Sequence, residues 1–118
     1  MRNYRNYDVW FKSHQLVLYV YKELIPVLPE SERYNLVSQI KRSAYSVPMN
    51  IAEGCGRNSE KDFVHFLDLS LGSLHELEYT SLLIFDLDFI SKEQYDIFVS
   101  LTTEVKAKLI NLIKSIRK

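Results

Sequence analysis

The sequence predicts an all-α fold, an antiparallel up-down-up-down four-helix bundle that forms a single domain over residues 1–118. Only three glycines and three prolines interrupt the 118 residues, which favours a few long helices over a sheet with many turns. Apolar residues recur every three or four positions, the spacing of an amphipathic helix. The clearest run, near the C-terminus, is Ile97, Leu101, Val105, Leu109, Leu112 and Ile116.

The first two helices are bounded by proline and glycine. The first helix is expected to begin near Asp8 and to end at Pro26 and Pro29, because proline cannot continue a helix. The second should begin at residue 30 or 31 and run to the glycines of residues 54–56, which can close a helix. Pro48 lies inside it and should bend its axis.

The third and fourth helices are opened by capping serines. Ser59 starts a variant of the capping box, and Ser91 starts a second box that Gln94 completes. Gly72 lies inside the third helix, where glycine is about 1 kcal/mol less favourable than alanine. We expect it to let two helices approach closely or to make room for the Arg42 side chain.

A polar stripe follows one side of the second helix. Its members are Asn35, Gln39, Arg42, Ser46, Asn50, Glu53 and Arg57. Steps of three or four residues place them along one ridge of an α-helix. Such a ridge indicates either a hydrogen-bond network or a surface that holds a partner. We assign the stripe from Gln39 onwards, together with Glu76 and Glu78, to a structural polar network.

Glu78 falls among apolar residues on the wheel of the third helix. A carboxylate in that position is costly unless a cation pairs with it. We expect Arg42 to be that cation, with Arg33 as the alternative.

The third helix also carries more apolar surface than one core requires, and the chain contains eight tyrosines. Tyrosine is enriched at protein interfaces. We therefore predict a homo-oligomer whose interface includes Tyr34, Tyr45, Met49, Leu69 and Leu83. The alternative is that these side chains are ordinary, partly exposed residues.

Charge is balanced overall but unevenly distributed. Fifteen basic residues match fifteen acidic ones, whereas residues 59–90 hold seven acidic residues and one lysine, a net charge of −6. This asymmetry argues against a uniformly basic nucleic-acid binder but leaves room for a local basic patch. The candidate phosphate contacts are Arg2, Arg5, Lys41, Lys114, Arg117 and Lys118. The alternative for the terminal lysines is that they complement the dipole of the last helix.

No set of residues indicates catalysis. Asp62 and His65 form one carboxylate-x-x-His spacing, whereas a di-metal bundle needs two such pairs and two further carboxylates. Cys55 has no histidine placed to activate it. We expect a protein that is not an enzyme and needs no cofactor; the alternative is a metal- or small-ligand-binding bundle with enzymatic activity.

Location is predicted from two features. A lone cysteine fits the reducing cytoplasm. No apolar run approaches the roughly 20 residues that span a bilayer, so we expect a cytoplasmic protein without a membrane partner.

Three segments together resemble the signature of a bacterial family. Residues 39–42, 46–54 (Ser-Val-Pro-Met-Asn-Ile-Ala-Glu-Gly) and 72–78 (Gly-Ser-Leu-His-Glu-Leu-Glu) are similar to those of the four-helix-bundle proteins of 23S rRNA intervening sequences, also called S23-like. The resemblance covers essentially the whole chain and implies a ring-shaped homopentamer. The chain is also similar to the accessory protein of diversity-generating retroelements, which implies RNA or a nucleic-acid enzyme as candidate partners. That relative is markedly basic, whereas this chain is neutral.

Overall fold

The computed structural model describes residues 2–117 and consists of four α-helices. The first is joined to the second through residues 20–35, and the other two connections are short turns. The helices are α1 (Asp8–Tyr19), α2 (Leu36–Cys55), α3 (Glu60–Asp86) and α4 (Lys92–Ile116). Consecutive helices pack side by side, most extensively α2 with α3, and α1 also contacts α4. The predicted all-α four-helix fold is confirmed, and the bundle measures 43 × 24 × 20 Å.

The connection between α1 and α2 differs from the expectation. After α1 the chain continues through a π-helical turn, Val20–Leu24, and a 3-10 turn, Ile25–Val27, before the extended backbone at Leu28. Residues 30–32 form a separate 3-10 turn. Helix α2 therefore begins at Leu36 rather than at residue 30 or 31, because Asn35 has φ −115° and ψ −98°, which no α-helix accommodates.

Both predicted serine caps are present. The Ser59 hydroxyl accepts a hydrogen bond from the Asp62 amide at 3.0 Å. The Ser91 hydroxyl accepts one from the Gln94 amide, and the Gln94 side-chain oxygen accepts one from the Ser91 amide, which completes the capping box. The Gln94 side-chain amide also donates to the Glu23 carbonyl at 2.9 Å. The start of α4 is therefore tied to the end of the first helical segment.

The glycine that permits close helix packing is Gly54. A Cβ atom built on Gly54 would lie 2.9 Å from the Phe66 Cβ and 3.1 Å from the Phe63 carbonyl oxygen. Helix α2 ends at Cys55 with Gly56 as its C-cap, so the expected end at the glycines of residues 54–56 is confirmed, and Gly54 itself lies inside the last turn. A Cβ on Gly72, in contrast, would meet nothing within 4 Å. The close approach expected at Gly72 was therefore assigned to the wrong glycine.

A buried hydrogen bond joins α2 and α3 next to Pro48. The Ser70 hydroxyl donates to the Val47 carbonyl at 2.8 Å. Pro48 itself is buried inside α2. The helices enclose one continuous hydrophobic core. Its largest fully buried side chains include Leu16, Ile40, Ile51, Phe63, Leu67, Leu74, Leu77, Ile84, Phe98 and Leu109.

Candidate functional site

The polar stripe of α2 lines one wall of a groove between α2 and α3. Gln39, Arg42, Ser46 and Asn50 form that wall, together with Ser43. The opposite wall consists of Asp68, Leu69, Gly72, Ser73 and Glu76, and the groove has a volume of about 570 Å³. The predicted proximity of Gly72 and Arg42 is thus present, as two sides of an open groove rather than as a packed contact.

Most hydrogen bonds of the stripe stay within α2. The Ser46 hydroxyl donates to the Arg42 carbonyl at 2.6 Å, and the Asn50 side-chain amide donates to the Ser46 carbonyl at 2.8 Å. One bond crosses to α3, from the Gln39 amide to the Glu76 carboxylate at 3.3 Å. Two side chains of the stripe therefore donate hydrogen bonds to carbonyl oxygens of their own helix. Within the stripe, only Gln39 makes a hydrogen bond to α3.

Glu53 and Arg57 lie beyond the groove, where α2 ends. Their side chains form an i,i+4 ion pair at 2.7 Å, the favourable order on a helix. The Arg57 guanidinium also lies 4.7 Å above the centre of the Phe66 ring. This end of the stripe holds the α2–α3 turn together.

Glu78 does not pair with Arg42 or Arg33. Its carboxylate meets the Lys106 ammonium at 3.3 Å, and the two side chains are 33% and 37% exposed. The expectation was wrong about the partner because Glu78 lies on the side of α3 that faces α4, whereas Arg42 belongs to α2. The Glu78 side chain is also partly exposed, although it falls among apolar residues on the wheel of α3.

Four of the five apolar residues predicted for an interface lie on α2 and α3, and Tyr34 lies in the turn just before α2. Tyr34, Met49 and Leu69 are 83%, 58% and 44% exposed, and Tyr45 is exposed to 40%. Leu83 is half-buried and lines a second, mostly apolar groove of about 510 Å³. The other residues of that groove are Leu36, Gln39, His75, Glu76, Tyr79 and Thr80. We call the outer surface of α2 and α3 that carries Met49, Leu69 and both grooves, together with Tyr34 just before α2, the assembly face.

Two tyrosines, Tyr79 and Tyr45, differ in what surrounds them. Tyr79, on the assembly face, is 65% exposed, and the sequence reasoning did not single it out, although it lies four residues before Leu83. Tyr45 lies beside the turn that follows α1, because it is close enough to Tyr21 to help raise the pKa of the Tyr21 phenol, for which burial is the larger cause.

The fold gathers most of the candidate phosphate contacts at one end of the bundle. The starts of α1 and α3 lie there with the ends of α2 and α4, as the bond from the Arg2 amide to the Cys55 carbonyl (3.3 Å) illustrates. We call this the basic end; its basic residues include Arg2, Arg5, Arg57, Lys114 and Arg117. Acidic residues lie here as well: Asp8 at the start of α1, Glu53 at the end of α2, and Glu60 and Asp62 in the first turn of α3.

The arginines of the basic end differ in how they are held. Arg2 donates to the Arg57 carbonyl at 3.0 Å and lies 4.3 Å above the Phe63 ring centre. Arg117 is engaged by the Asp68 carboxylate through two hydrogen bonds, which raise the pKa of its guanidinium. Arg117 is therefore less available to a phosphate than Arg2 or Arg5.

Two of the candidate contacts lie elsewhere or outside the structure. Lys41 is on α2, 5.6 Å from the centre of the Tyr21 ring, and is not part of the basic end. Lys118 lies outside the described residues.

The opposite end of the bundle is acidic. It consists of the α1–α2 connection and the α3–α4 turn. Its basic residues are Lys22, Arg33 and Lys92. Its acidic residues are more numerous: Glu23, Glu30, Glu32, Asp86, Asp88, Glu93 and Asp96. The neutral chain is therefore polarised along its long axis.

A family model described as 23S rRNA-intervening sequence protein matches residues 5–111. The chain belongs to this family. It is also similar to a crystal structure from Bacteroides thetaiotaomicron, described as a protein with unknown function from the S23 ribosomal protein family. The two chains are 31% identical, with a TM-score of 0.83, and the match covers 90% of this chain and 98% of that one. No curated protein matches the chain.

Three groups that could carry chemistry in this family member, Cys55, His14 and His65, are engaged structurally. Cys55 is buried, and its burial raises the pKa of the thiol. His14 stacks on Trp10 with ring centres 5.3 Å apart, and His65 packs edge-on against Phe66. Across residues 2–117, no group of three or more His, Cys, Asp or Glu side chains is arranged to hold a metal ion.

The sequence predicted no segment that spans a membrane. Within the part of the chain that the structure describes, no helix is both long enough and apolar enough to cross a bilayer.

Proposed function

We propose that this 23S rRNA-intervening sequence family protein is a non-enzymatic module that assembles into a homo-oligomer through the assembly face. The proposal is carried by the large apolar side chains that α2, α3 and the turn just before α2 leave exposed, with Tyr34 in that turn at 83%, Tyr79 at 65% and Met49 at 58%. Burying a large apolar side chain contributes about 1.5–3 kcal/mol. Several such residues on two adjacent helices give a second copy a sizeable apolar contact.

The preferred number of copies is five, which rests on the family resemblance. Stable homo-oligomers bury about 2,000 Å² or more in total per interface. Light scattering coupled to size exclusion should give a multiple of 13.9 kDa, with five times that mass expected. A monomer at micromolar concentration would contradict the proposal.

The assembly face is tested by placing a charge on it. Met49→Glu should weaken assembly, because the interface would have to bury a carboxylate without a partner. Ile97→Glu is the control, since Ile97 is an exposed apolar residue of α4, at 42% against 58% for Met49. Equal loss of assembly in both variants would show that the interface is not on α2 and α3.

A second candidate function, an accessory role in binding RNA, is favoured by the gathering of Arg2, Arg5 and Lys114 at the basic end. In an oligomer each basic end is repeated, so binding to one RNA gains avidity without new contacts. We expect weak binding. The logarithm of the binding constant should fall linearly with the logarithm of the salt concentration, with a slope of about 0.7 per neutralised phosphate on single strands. The retroelement relation, and with it a nucleic-acid enzyme as partner, stays a prediction.

The RNA role is tested by titrating a labelled structured RNA at two salt concentrations. Replacing Arg2 and Arg5 with alanine should weaken binding and lower the salt slope. The matched control replaces Lys22 and Lys92, two lysines of the acidic end, and should leave binding unchanged. Absence of binding at low salt would leave assembly as the only proposed role.

The alternative of a metal-dependent enzyme has a direct test. It requires near-stoichiometric metal in the purified protein, which elemental analysis measures. The proposal of a non-enzymatic module expects no such metal.

A further inference from the structure

Three aromatic side chains form a row that runs from the 3-10 turn Tyr4–Asn6 along the first half of α1. Tyr4 packs against Trp10 with ring centres 4.8 Å apart, and Trp10 stacks on His14 at 5.3 Å, with the two rings within 4° of parallel. We call Tyr4, Trp10 and His14 the aromatic row. All three side chains are partly exposed, and Tyr4 and Trp10 also pack against the hydrophobic core. The protein itself therefore holds the row in position.

The Tyr4 end of the row is covered loosely by Arg5. The Arg5 guanidinium lies over the Tyr4 ring at 5.8 Å from its centre, against 4.3 Å for Arg2 over the Phe63 ring. Arg5 is exposed and makes no ion pair with any residue of the described range 2–117. A planar ligand can therefore take its place on the Tyr4 ring and leave the guanidinium to bind an anionic group, for which arginine is well suited.

Charge alone gives this end of the bundle little attraction for RNA. The acidic Asp8, Glu53, Glu60 and Asp62 nearly balance the basic residues there. A duplex is recognised mostly through its shape, phosphates and 2′-hydroxyls, so its binding needs more positive surface than this end offers. An unpaired strand exposes the faces of its bases, and stacking of one base on an aromatic side chain strengthens binding by about five- to 150-fold. The aromatic row therefore favours an unpaired strand over a duplex.

We propose that the basic end binds single-stranded RNA, with one unpaired base stacked on the Tyr4 ring in place of the Arg5 guanidinium, which then pairs with a neighbouring phosphate. The proposal rests on the candidate role in binding RNA and specifies the ligand of that site. Trp10, which packs against Tyr4, holds the stacking ring in position. Because every base has an aromatic face, the site distinguishes unpaired from paired strands and tolerates different sequences.

The test compares an RNA oligonucleotide that cannot pair with itself and the duplex that it forms with its complement. The native protein should bind the unpaired strand roughly tenfold more tightly than the duplex at the same salt concentration. Tyr4→Leu removes the ring but keeps an apolar side chain beside Trp10, and it should weaken binding of the unpaired strand by about tenfold. Its salt slope should stay the same, because no phosphate contact is lost. Tyr4→Phe keeps the ring and should bind like the native protein.

The matched control is Tyr95→Leu. Tyr95 is also a partly exposed tyrosine that stacks on another ring, that of Phe85, with ring centres 4.4 Å apart, but it lies at the acidic end. Tyr95→Leu should bind the unpaired strand like the native protein. Circular dichroism and light scattering should show the same helix content and the same assembly state in all variants.

The strand preference of the native protein tests the proposal independently of how the variants fold. Equal binding of the two strands by the native protein would overturn the proposal, as would a folded Tyr4→Leu variant that binds the unpaired strand as tightly as the native protein does. Either result would leave the candidate role in binding RNA standing. A native protein that binds neither strand at low salt would overturn both.

Discussion

Glu78 on α3 pairs with Lys106 on α4, with 3.3 Å between the carboxylate oxygen and the ammonium nitrogen. Each side chain is about one-third exposed, so water screens the pair. The contact joins two helices that neighbour each other in the bundle and makes no use of α2. Glu78 therefore belongs to the α3–α4 seam, separate from the groove in which Arg42 lies.

Replacing Glu78 with alanine should cost little stability. Partly exposed ion pairs contribute about 0.2–1 kcal/mol, well below the roughly 3–5 kcal/mol expected when one member of a buried pair is removed. Urea unfolding of Glu78→Ala, Lys106→Ala and the double variant measures the coupling between the two. A loss above 3 kcal/mol for Glu78→Ala alone would show that the carboxylate is far more buried than its exposure indicates.

Alanine at the two helix glycines should change stability in opposite directions. Gly54→Ala should destabilise by about 1–3 kcal/mol, because its Cβ would overlap the Phe66 Cβ and overpack the α2–α3 contact. Gly72→Ala should stabilise by about 0.5–1 kcal/mol, since it adds helix propensity in open space. The free energy of unfolding is measured for both. Destabilisation by Gly72→Ala would mean that its surroundings are tighter than they are in this structure.

The helices and their caps could be predicted because the signals are local. Ser59 and Ser91 each act within one helical turn, and apolar spacing defines a helix without knowledge of its neighbours. The start of α2 could not be predicted, because it depends on the non-helical backbone conformation of Asn35, which composition does not reveal.

The site was less predictable because it depends on which helices adjoin. A wheel of α3 gives the direction of Glu78 but not the helix that faces it. The pairing of Arg117 with Asp68 likewise depends on the alignment of α4 against α3. The assignments of assembly and RNA contacts stay predictions that the experiments above address.

The ion pair between Asp8 and Lys108 should make stability depend on pH at both extremes. The Lys108 ammonium, 2.7 Å away, lowers the pKa of the Asp8 carboxyl through a hydrogen bond, and Asp8 in turn raises the pKa of Lys108. A lowered acid pKa stabilises the fold above the carboxyl's ordinary pKa, and this contribution is lost as the pH falls through the folded value. A raised lysine pKa stabilises below about pH 10.4, the lysine's ordinary pKa, and that contribution is lost above it.

Melting temperature as a function of pH measures this contribution. Asp8→Asn removes both effects, so the difference from the native protein should be present near neutral pH and shrink at both extremes. Lys92→Ala, which breaks an exposed ion pair with Asp96 elsewhere on the surface, is the control for general charge effects. A difference that stays constant from acid to alkaline pH would contradict the assignment.

Ser70→Ala should destabilise the α2–α3 contact by about 1 kcal/mol. The Ser70 hydroxyl is fully buried and donates to the Val47 carbonyl across the helix boundary at 2.8 Å. A net contribution of about 0.5–1.5 kcal/mol is typical of an intramolecular hydrogen bond. Ser115→Ala is the matched control, because the Ser115 hydroxyl donates to a carbonyl of its own helix at an exposed site, and it should change the free energy of unfolding by only a few tenths. Equal effects of the two variants would show that the Ser70 bond adds no more to the packing of α2 against α3 than a local hydrogen bond adds within one helix.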